Sequence, residues 1–367
     1  MDFNINRLVL LDALTKVSRA VSLKSPLPIL TGIKFDLLED GLVLTASDSD
    51  ISIQTTINEG IIINQTGSVV LSSKYILEII RKIDGDTVHI QVVDGTLTRI
   101  TSESSLFDLN GSKSFDFPRI DLNKNGKHFS MKSYEFKKII EKTLFATSEQ
   151  ETRPVLTGVN FKVDQHKLVC IATDSYRLAQ VSQPIDDDIQ FNIVIPKKSL
   201  NQIIHIIEKD EMIDLYVSDR KVLFVIGQYL VLTRLIDGTY PNTSRLVEDQ
   251  GSYNMSINSS ALLGAISRAS LLSDEQSNIV KLTMSPDENI LSSYSQEIGS
   301  VEENLTKAFY KGEPMTISFS AKYLADAIRS IGTETIQLRF TEKMRPFQIT
   351  GLDVNDNIQV VLPVRTY

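Results

Sequence analysis

The chain has 367 residues, a length that suits two or three domains, each with a buried core of its own. With 42% hydrophobic and 23% charged residues, its composition is that of a globular protein and excludes a fibrous or an intrinsically disordered one. The 38 Lys and Arg residues are outnumbered by 46 Asp and Glu, and the net charge of −8 argues against a protein that holds nucleic acid by bulk electrostatic attraction alone.

The sequence also predicts where the protein works. It contains no run of about 18 apolar residues and no basic stretch before an apolar segment at its N-terminus, so we expect a cytoplasmic protein without membrane contact. Its single cysteine, Cys170, lies in an apolar predicted strand and is expected to be a buried, inert thiol. An unpaired cysteine fits a reducing compartment.

Each third of the chain is predicted to begin with a helix, over residues 8–21, 134–147 and 259–272. Apolar residues at helical spacing give this helix one buried face. Its basic residues are expected on the opposite, exposed face, and they are Lys16, Arg19, Lys137, Lys138, Lys142 and Arg268.

Strands with alternating apolar residues follow this helix, and two copies of the block match at a step of 126 residues. Each copy contains an aspartate, Asp48 in the first and Asp174 in the second, whereas the third copy, around 280–284, keeps only the alternation. Two carboxylates could be catalytic groups or metal ligands. Because their spacing equals that of the repeat, we favour a structural role in capping the turn after a strand.

A second helix carries the clearest repeat, over residues 72–83, 196–207 and 320–331. The step from Lys74 to Lys198 is 124 residues, and the step from Lys198 to Lys322 is the same. A helical wheel places the same apolar stripe on all three copies, opposite a basic face that includes Arg81, His205 and Arg329. Alternating strands lead into and out of each copy, as in half-buried antiparallel sheet.

These patterns predict an α+β protein made of three tandem repeats of one domain, in which helices pack on antiparallel sheet. Proline, asparagine and glycine accumulate around residues 117–126 and 240–251. We therefore predict domains over residues 1–127, 128–252 and 253–367.

No set of residues indicates an enzyme. The four histidines, His89, His128, His166 and His205, lack the spacing of metal ligands, and no phosphate loop, nucleophile elbow or zinc motif occurs. A pair of Cys170 and His205 would lack a third group to orient it. The sequence therefore predicts a protein without catalytic activity, metal or cofactor.

Three motifs resemble those of the bacterial DNA polymerase III beta subunit, the sliding clamp family: TDSYRL at 173–178, LPIL at 27–30 and VVLPVR at 360–365. The resemblance covers the whole chain. It implies the DNA clamp fold and a head-to-tail homodimer that closes its six domains into a ring around duplex DNA, with the helices lining the hole. A ring holds DNA by topology, so a negative net charge is compatible with this function.

The resemblance also implies which residues contact DNA and which join the two chains. The expected DNA contacts are Lys24, Lys74, Gln150 and Arg153, and the helical wheel adds Arg81, Lys198 and Arg329. Such side chains would contact phosphates without reading bases. The expected dimer interface consists of Lys74, Phe107, Leu271, Leu272, Glu297, Glu302 and Glu303.

Partner proteins are expected to bind an apolar pocket with short peptides that carry Leu and Phe anchors. The implied partners are the DNA polymerase catalytic subunit, the clamp loader, and other polymerases and repair proteins. Ser175-Tyr176, Leu362 and Val364 replace Gly-His and two Met residues of one familiar form of the motif, so peptide preference is left open, as is the effect of Thr366-Tyr367. The expected pocket residues are Leu156, Thr173, Ser175, Tyr176, Arg177, Leu178, Pro241, Arg245, Leu246, Val360, Leu362, Pro363, Val364 and Arg365.

Two alternative functions stay open at this point. One is a protein-interaction scaffold that has the same repeats but no topological link to DNA. The other is a hydrolase that uses Asp48 or Asp174 as an acid or a metal ligand.

Overall fold

The computed structural model describes residues 1–22, 25–248, 251–273, 278–352 and 354–365. They form two compact units, one of Met1–Lys137 with Lys198–Leu235 and the other of Lys138–Lys197 with Ile236–Tyr367. We call the three predicted domains repeats 1, 2 and 3. The first unit thus combines repeat 1 with part of repeat 2, and the second combines repeat 3 with the rest of repeat 2. The predicted domain boundaries stay predictions.

In the described residues each repeat has a strand, a helix, a run of strands, a second helix and three further strands, and the run has five strands in repeats 1 and 3 and four in repeat 2. The helices are α1 (Arg7–Val17), α2 (Ser73–Lys82), α3 (Ser133–Thr143), α4 (Lys197–Ile204), α5 (Ser244–Glu248), α6 (Ser259–Ala269) and α7 (Ala321–Ile331). The strands of repeat 1 are β1 (Asp2–Asn6), β2 (Gly32–Leu38), β3 (Gly41–Ser47), β4 (Ile51–Ile57), β5 (Ile61–Gln65), β6 (Gly67–Ser72), β7 (Thr87–Asp94), β8 (Leu97–Thr101) and β9 (Leu106–Asn110). Repeat 2 contains β10 (Lys127–Lys132), β11 (Gly158–Asp164), β12 (Lys167–Thr173), β13 (Arg177–Pro184), β14 (Phe191–Pro196), β15 (Met212–Val217), β16 (Lys221–Ile226) and β17 (Tyr229–Arg234). Repeat 3 contains β18 (Tyr253–Asn258), β19 (Ile279–Met284), β20 (Asn289–Ser295), β21 (Gly299–Asn304), β22 (Phe309–Lys311), β23 (Met315–Ser320), β24 (Thr335–Phe340), β25 (Phe347–Gly351) and β26 (Val354–Val361).

Each unit contains two antiparallel sheets, and the larger sheet of each crosses a repeat boundary. The first unit has a sheet in the order β5-β1-β7-β8-β9 and one in the order β10-β15-β16-β17-β4-β3-β2-β6. The second has the orders β14-β11-β12-β13-β26-β25-β24-β18-β22 and β21-β20-β19-β23. Strand β17 of repeat 2 thus pairs with β4 of repeat 1, and β26 of repeat 3 pairs with β13 of repeat 2.

These two pairings, which we call the first and the second join, have the same register. In the first join the paired residues run from Ile51 with Thr233 to Thr55 with Tyr229. In the second they run from Arg177 with Val361 to Val181 with Asn357. Ile51 and Arg177 are 126 residues apart, which is the step of this block of the repeat. The backbone therefore repeats the connection between domains as well as the domains themselves.

The helices confirm the predicted pattern. In each copy of the second helix, the residues of the predicted apolar stripe are buried or half-buried, and Lys74, Lys198 and Lys322 are exposed. The first helix of each repeat ends earlier than predicted, and a short 3-10 turn continues it over Ser18–Ala20, Leu144–Ala146 and Ser270–Leu272.

The predicted exposure of Lys16 is wrong, because this side chain is only 6% exposed. Its Nζ lies 2.9 Å from Asp12 Oδ2 and 2.8 Å from Glu208 Oε2, and 5.2 Å from the centre of the Tyr229 ring. Burial opposes its positive charge, but the hydrogen bonds to Glu208 and Asp12 outweigh burial and raise the pKa of Lys16. Glu208 and Tyr229 belong to repeat 2, so a helical wheel of α1 could not show that this face is covered.

The core contains the expected apolar side chains. Phe136 and Phe224 pack edge to face in the first unit, and Phe319, Phe340 and Phe347 pack together in the second. Cys170 is fully buried, as predicted, and burial raises the pKa of its thiol.

Candidate functional site

The turn after β12 is built by Asp174. Its Oδ1 accepts hydrogen bonds from the backbone N–H of Tyr176 at 2.9 Å and of Arg177 at 3.0 Å. Ser175 has a φ of 79°, a left-handed conformation that the hydrogen bonds of the turn stabilise. The predicted structural role of Asp174 is confirmed.

Asp48 builds the equivalent turn in repeat 1. Its Oδ1 accepts from the backbone N–H of Asp50 at 3.0 Å and of Ile51 at 2.9 Å, and Ser49 has a φ of 81°. Its other oxygen forms an ion pair with Lys198 of α4. Both carboxylates are therefore occupied by their own chain, as expected for turn-forming residues.

Arg177, the first residue of β13, connects repeats 2 and 3. Its guanidinium donates to Asp174 Oδ2 at 3.0 Å, to Asp326 Oδ2 of α7 at 2.8 Å and to the Phe145 carbonyl at 2.7 Å. Its Cζ also lies 4.5 Å from the centre of the Tyr323 ring. The charge of Arg177 is therefore compensated within the chain.

An apolar cavity of about 180 Å³ lies beside this arginine. Eight predicted pocket residues line it: Leu156, Thr173, Ser175, Arg177, Leu178, Pro241, Leu246 and Leu362. Four other residues also line it: Arg153, Asn242, Thr243 and Pro346. Asn242 and Thr243 follow the predicted Pro241 directly and could have been found by extending that motif. Pro346 lies in a loop without a motif, and Arg153 was assigned to DNA.

The wall of the cavity is supported by Tyr240, the first residue of the predicted junction at 240–251. Tyr240 packs with Leu156 and Val194, and its Oη accepts a hydrogen bond of 3.1 Å from the backbone N–H of Thr173. Burial raises the pKa of Tyr240. Because Pro241 follows Tyr240 directly, this packing holds Pro241 in the lining of the cavity.

Six predicted pocket residues do not line the cavity. Val360 is 1% exposed and pairs with Leu178 between β26 and β13, so it is a core residue. The Tyr176 side chain is 62% exposed, and its carbonyl accepts from the Leu362 N–H at 3.0 Å, which holds the C-terminal segment beside the turn. The other four, Arg245, Pro363, Val364 and Arg365, adjoin lining residues in sequence or follow them closely.

Three of the predicted DNA-contacting cations form ion pairs within the chain. These pairs are Arg81 with Glu78, Lys198 with Asp48, and Arg329 with Asp326, the last at 3.3 Å. An ion pair reduces the charge that such a residue offers to a phosphate. Their DNA contacts stay predictions.

The other four predicted DNA contacts have different surroundings. Lys74 is exposed, with its Nζ 5.6 Å from the centre of the Tyr75 ring. Gln150 is exposed in a turn, and its backbone N–H donates a hydrogen bond to Ser148 Oγ. Arg153 lines the cavity, and Lys24 lies outside the described residues.

The predicted dimer residues include two exposed apolar side chains. Phe107 on β9 is 38% exposed and Leu271 is 75% exposed, while Leu272 is half-buried. Glu297 and Glu302 are exposed. Glu303 instead accepts a bidentate pair of hydrogen bonds from the Arg268 guanidinium of α6, at 2.9 and 2.7 Å. Strands β9 and β21, which contribute several of these residues, each lie at the edge of a sheet.

Among the described residues, no group of three His, Cys, Asp or Glu side chains is arranged to hold a metal ion. In the same part of the chain, no helix is long and apolar enough to cross a membrane.

Family models match nearly the whole chain. The N-terminal, central and C-terminal domains of the DNA polymerase III beta subunit match residues 1–121, 130–242 and 245–365. Curated relatives include the beta sliding clamp of Bacillus subtilis, 40% identical, and that of Halalkalibacterium halodurans, 38% identical, both with 100% of each chain covered.

Solved structures give the same result at the level of the fold. The DNA polymerase sliding clamp from Bacillus subtilis matches with a TM-score of 0.97 and 39% identity, and 100% of both chains is covered. The beta subunit from DNA polymerase of Streptococcus pyogenes matches with a TM-score of 0.95 and 32% identity over the same full coverage. The predicted family and clamp fold are confirmed: the chain belongs to the DNA polymerase III beta subunit family, the sliding clamps of DNA replication.

Proposed function

We propose that two copies of this chain close head to tail into a ring around duplex DNA and tether the DNA polymerase to it. The observation that supports this best is the repeated join. Strands β4 and β13 occupy the same place in repeats 1 and 2, and each pairs with the last strand of the following repeat. In repeat 3 the strand that corresponds to β4 and β13 is β21, and in repeat 1 the last strand is β9. Both lie at the edge of a sheet and lack a partner on one side.

The register of the two joins predicts how these edges meet. Phe107 pairs with Ile100 inside repeat 1 as Val231 pairs with Phe224 inside repeat 2. By the same comparison Val301 takes the place of Ile53, and Ile53 pairs with Val231. We therefore expect Phe107 of one chain to lie opposite Val301 of the second, with the strands antiparallel.

Side chains near these edges fit such an interface. Leu106 is 57% exposed and Leu271 is 75% exposed, and exposed apolar residues at a sheet edge favour association. Lys198 closes the first join through its ion pair with Asp48, and Lys74 is its counterpart on α2. Lys74 is thus expected to meet an acid of the second chain near Glu297, which favours the dimer role predicted for it over the DNA role.

Dimerisation and its register can be tested together. We expect the wild-type protein at micromolar concentration to sediment at about twice its 41.1 kDa chain mass, and its small-angle scattering to fit a hollow ring. Phe107→Asp and Leu272→Asp are expected to produce monomers, whereas Phe115→Asp, a change at an exposed phenylalanine outside β9, is expected not to. Phe107→Cys combined with Val301→Cys should form an intermolecular disulfide on oxidation. A compact wild-type monomer would contradict the ring.

A ring explains how an acidic chain can stay on DNA. Several basic side chains of the helices are already ion-paired, so contacts to phosphate would be weak and would not hinder sliding. We expect the cross-linked dimer to stay on circular DNA and to leave after the DNA is cut. Loss from intact circles at the same rate would favour the scaffold without topological linkage.

The cavity is the proposed docking site for peptides of the polymerase and of other partners, including the clamp loader and repair proteins. Its aliphatic lining suits leucine and phenylalanine anchors. Leu362→Ala should weaken peptide binding by roughly tenfold, because a large-to-small change in a binding pocket removes about 1–3 kcal/mol. Calorimetry with a leucine- and phenylalanine-containing peptide measures this, and unchanged affinity would contradict the assignment.

The proposed role requires no catalysis, in agreement with the sequence prediction. The hydrolase alternative used Asp48 or Asp174, and both carboxylates accept backbone hydrogen bonds and pair with a cation. A replication clamp would act on the chromosome, which agrees with the predicted cytoplasmic location.

A further inference from the structure

Asp326 on α7 is a carboxylate that two arginines share. Its Oδ2 accepts a hydrogen bond from the Arg177 guanidinium at 2.8 Å, and its Oδ1 accepts one from the Arg329 guanidinium at 3.3 Å. Arg177 belongs to the lining of the cavity, whereas Arg329 is a predicted DNA contact. One acid therefore connects a side chain of the proposed peptide site with a side chain of the proposed DNA site.

The two arginines are not held equally firmly. Arg177 is buried, and the rings of Phe145 and Tyr323 lie 5.2 and 4.5 Å from its Cζ, so it has little freedom to leave Asp326. The Arg329 side chain is 66% exposed, and its hydrogen bond to Asp326 is the longer one. A phosphate can therefore draw Arg329 away from Asp326 while Arg177 stays in place.

Repeat 1 contains the equivalent acid without this connection. Glu78 and Asp326 are 248 residues apart, which is two steps of 124 residues, so they occupy the same place on α2 and α7. Glu78 pairs with Arg81 and Lys82, which both belong to its own helix. Asp326 differs because one of its two cations lies outside its helix, in the wall of the cavity.

We propose that Asp326 is a positioning residue of the cavity wall, and that a DNA phosphate bound at Arg329 raises the affinity of the cavity for peptides through it. This inference rests on the proposed function and adds a coupling between its ring and its docking site. Once Arg329 turns to a phosphate, Asp326 pairs with Arg177 without a competing cation, which strengthens that pair and fixes the guanidinium in the lining. A wall that is already ordered costs a peptide less to bind. By linkage, a bound peptide favours DNA by the same factor.

Arg329→Gln reproduces the release of Asp326 in the absence of DNA. We expect this variant to bind a leucine- and phenylalanine-containing peptide roughly twofold more tightly than the wild type, as for the loss of a partly exposed ion pair. Lys82→Gln is the matched control, because it removes one cation from Glu78, which does not line the cavity, and it should bind the peptide as the wild type does. In a background of Asp326→Asn, the change Arg329→Gln should no longer alter the affinity.

Fluorescence anisotropy with a labelled peptide and the full-length protein measures the response to DNA. In low salt, a saturating amount of a short linear duplex, which can thread a closed ring from its end, should raise the peptide affinity of the wild type roughly twofold. The duplex should not raise the affinity of Arg329→Gln further, because this variant has no cation to move. A purely structural role of Asp326 would give no response to DNA.

The outcomes separate this inference from the function on which it rests. If Arg329→Gln binds the peptide as the wild type does, or if the duplex fails to raise the wild-type affinity, the coupling is overturned while the docking site and the ring stand. If Leu362→Ala leaves the peptide affinity unchanged, the docking site is wrong and the coupling falls with it. If the wild type is a compact monomer, the ring is wrong and the coupling falls as well.

Discussion

The first and second joins share one backbone design and differ in the side chains that secure it. Both pair five residues in the same register. At its first paired position the first join has Ile51, which is fully buried, and the second join has Arg177, which reaches Asp326 on another repeat. The same strand pairing is thus reinforced by apolar packing in one place and by a compensated charge in the other.

The polar groups nearby differ in the same way. Beside the first join lie the ion pairs Lys16–Glu208 and Lys198–Asp48. Each pair has one member in contact with water, Glu208 in the first and Lys198 in the second. Beside the second, a buried network of uncharged groups joins Ser330, Asn357 and Gln359, with Gln359 Nε2 donating to Asn357 Oδ1 at 2.7 Å and to Ser330 Oγ at 3.0 Å. The two joins therefore share their strand pairing, and they differ in the polar side chains beside it.

The largest expected effect is that of Arg177→Met. Removing the guanidinium leaves Asp174 and Asp326 without their shared partner, and we expect the free energy of unfolding to fall by about 3 kcal/mol. Ile51→Val, the change at the matched place of the first join, should lower it by only about 1 kcal/mol. Urea unfolding followed by circular dichroism compares the two. Equal losses would show that the two joins are not stabilised differently.

A smaller effect is expected for Lys16→Met. The two carboxylates that it pairs with are about half-exposed, at 50% for Asp12 and 58% for Glu208, so water can solvate them when the ammonium is removed. We expect a loss of about 1 kcal/mol, which decreases in concentrated salt. The same unfolding measurement at low and high salt tests this. A loss as large as that for Arg177→Met would mean that the first join depends on a buried charge as well.

The smallest expected effect is a dependence of the folded state's stability on acidic pH. Asp214 accepts hydrogen bonds from Ser130 at 2.5 Å and pairs with His128 at 2.9 Å, and the Ser130 bond, ahead of the histidine, lowers the pKa of Asp214 below its ordinary value of 3.8. The folded state therefore favours the ionised carboxylate. Its stabilisation is complete above about pH 4 and is lost as the pH falls through the lower folded pKa.

Asp214→Asn should accordingly melt below the wild type at pH 7 by a small margin that shrinks as the pH falls below about 4. Asp2 is the control in repeat 1, because a hydrogen bond from Asn64 lowers the pKa of Asp2 and it pairs with His89 at 2.9 Å. Asp2→Asn should show the same pH dependence. A margin for Asp214→Asn that grows in acid would have the wrong sign and contradict this assignment.

Features encoded within one repeat could be predicted from the sequence. The second helix and its buried stripe follow from the spacing of apolar residues, and the role of Asp174 follows from a turn of only four residues. Most of the apolar residues that line the cavity are predicted by the resemblance to the clamp family.

Features that depend on contacts between repeats could not be predicted from the sequence. The wheel of α1 places Lys16 on the outside, but Glu208 and Tyr229 cover it. The sequence likewise contains no signal that Asp326 is the partner of Arg177, or that Pro346 completes the cavity, because these pairs are separated by more than one hundred residues or lie in an irregular loop. The family pattern likewise predicts a DNA contact for Arg153 and contains no signal that Arg153 lines the cavity.

The shared register of the joins also bears on how copies of the chain would assemble if the ring failed to close. A head-to-tail contact repeated with the right rotation returns to its start, but with a slightly different rotation it continues without end. Small changes in the twist of β4 with β17 or of β13 with β26 would therefore convert closed particles into helical fibres. Electron micrographs of variants in β4 or β26 would show such fibres.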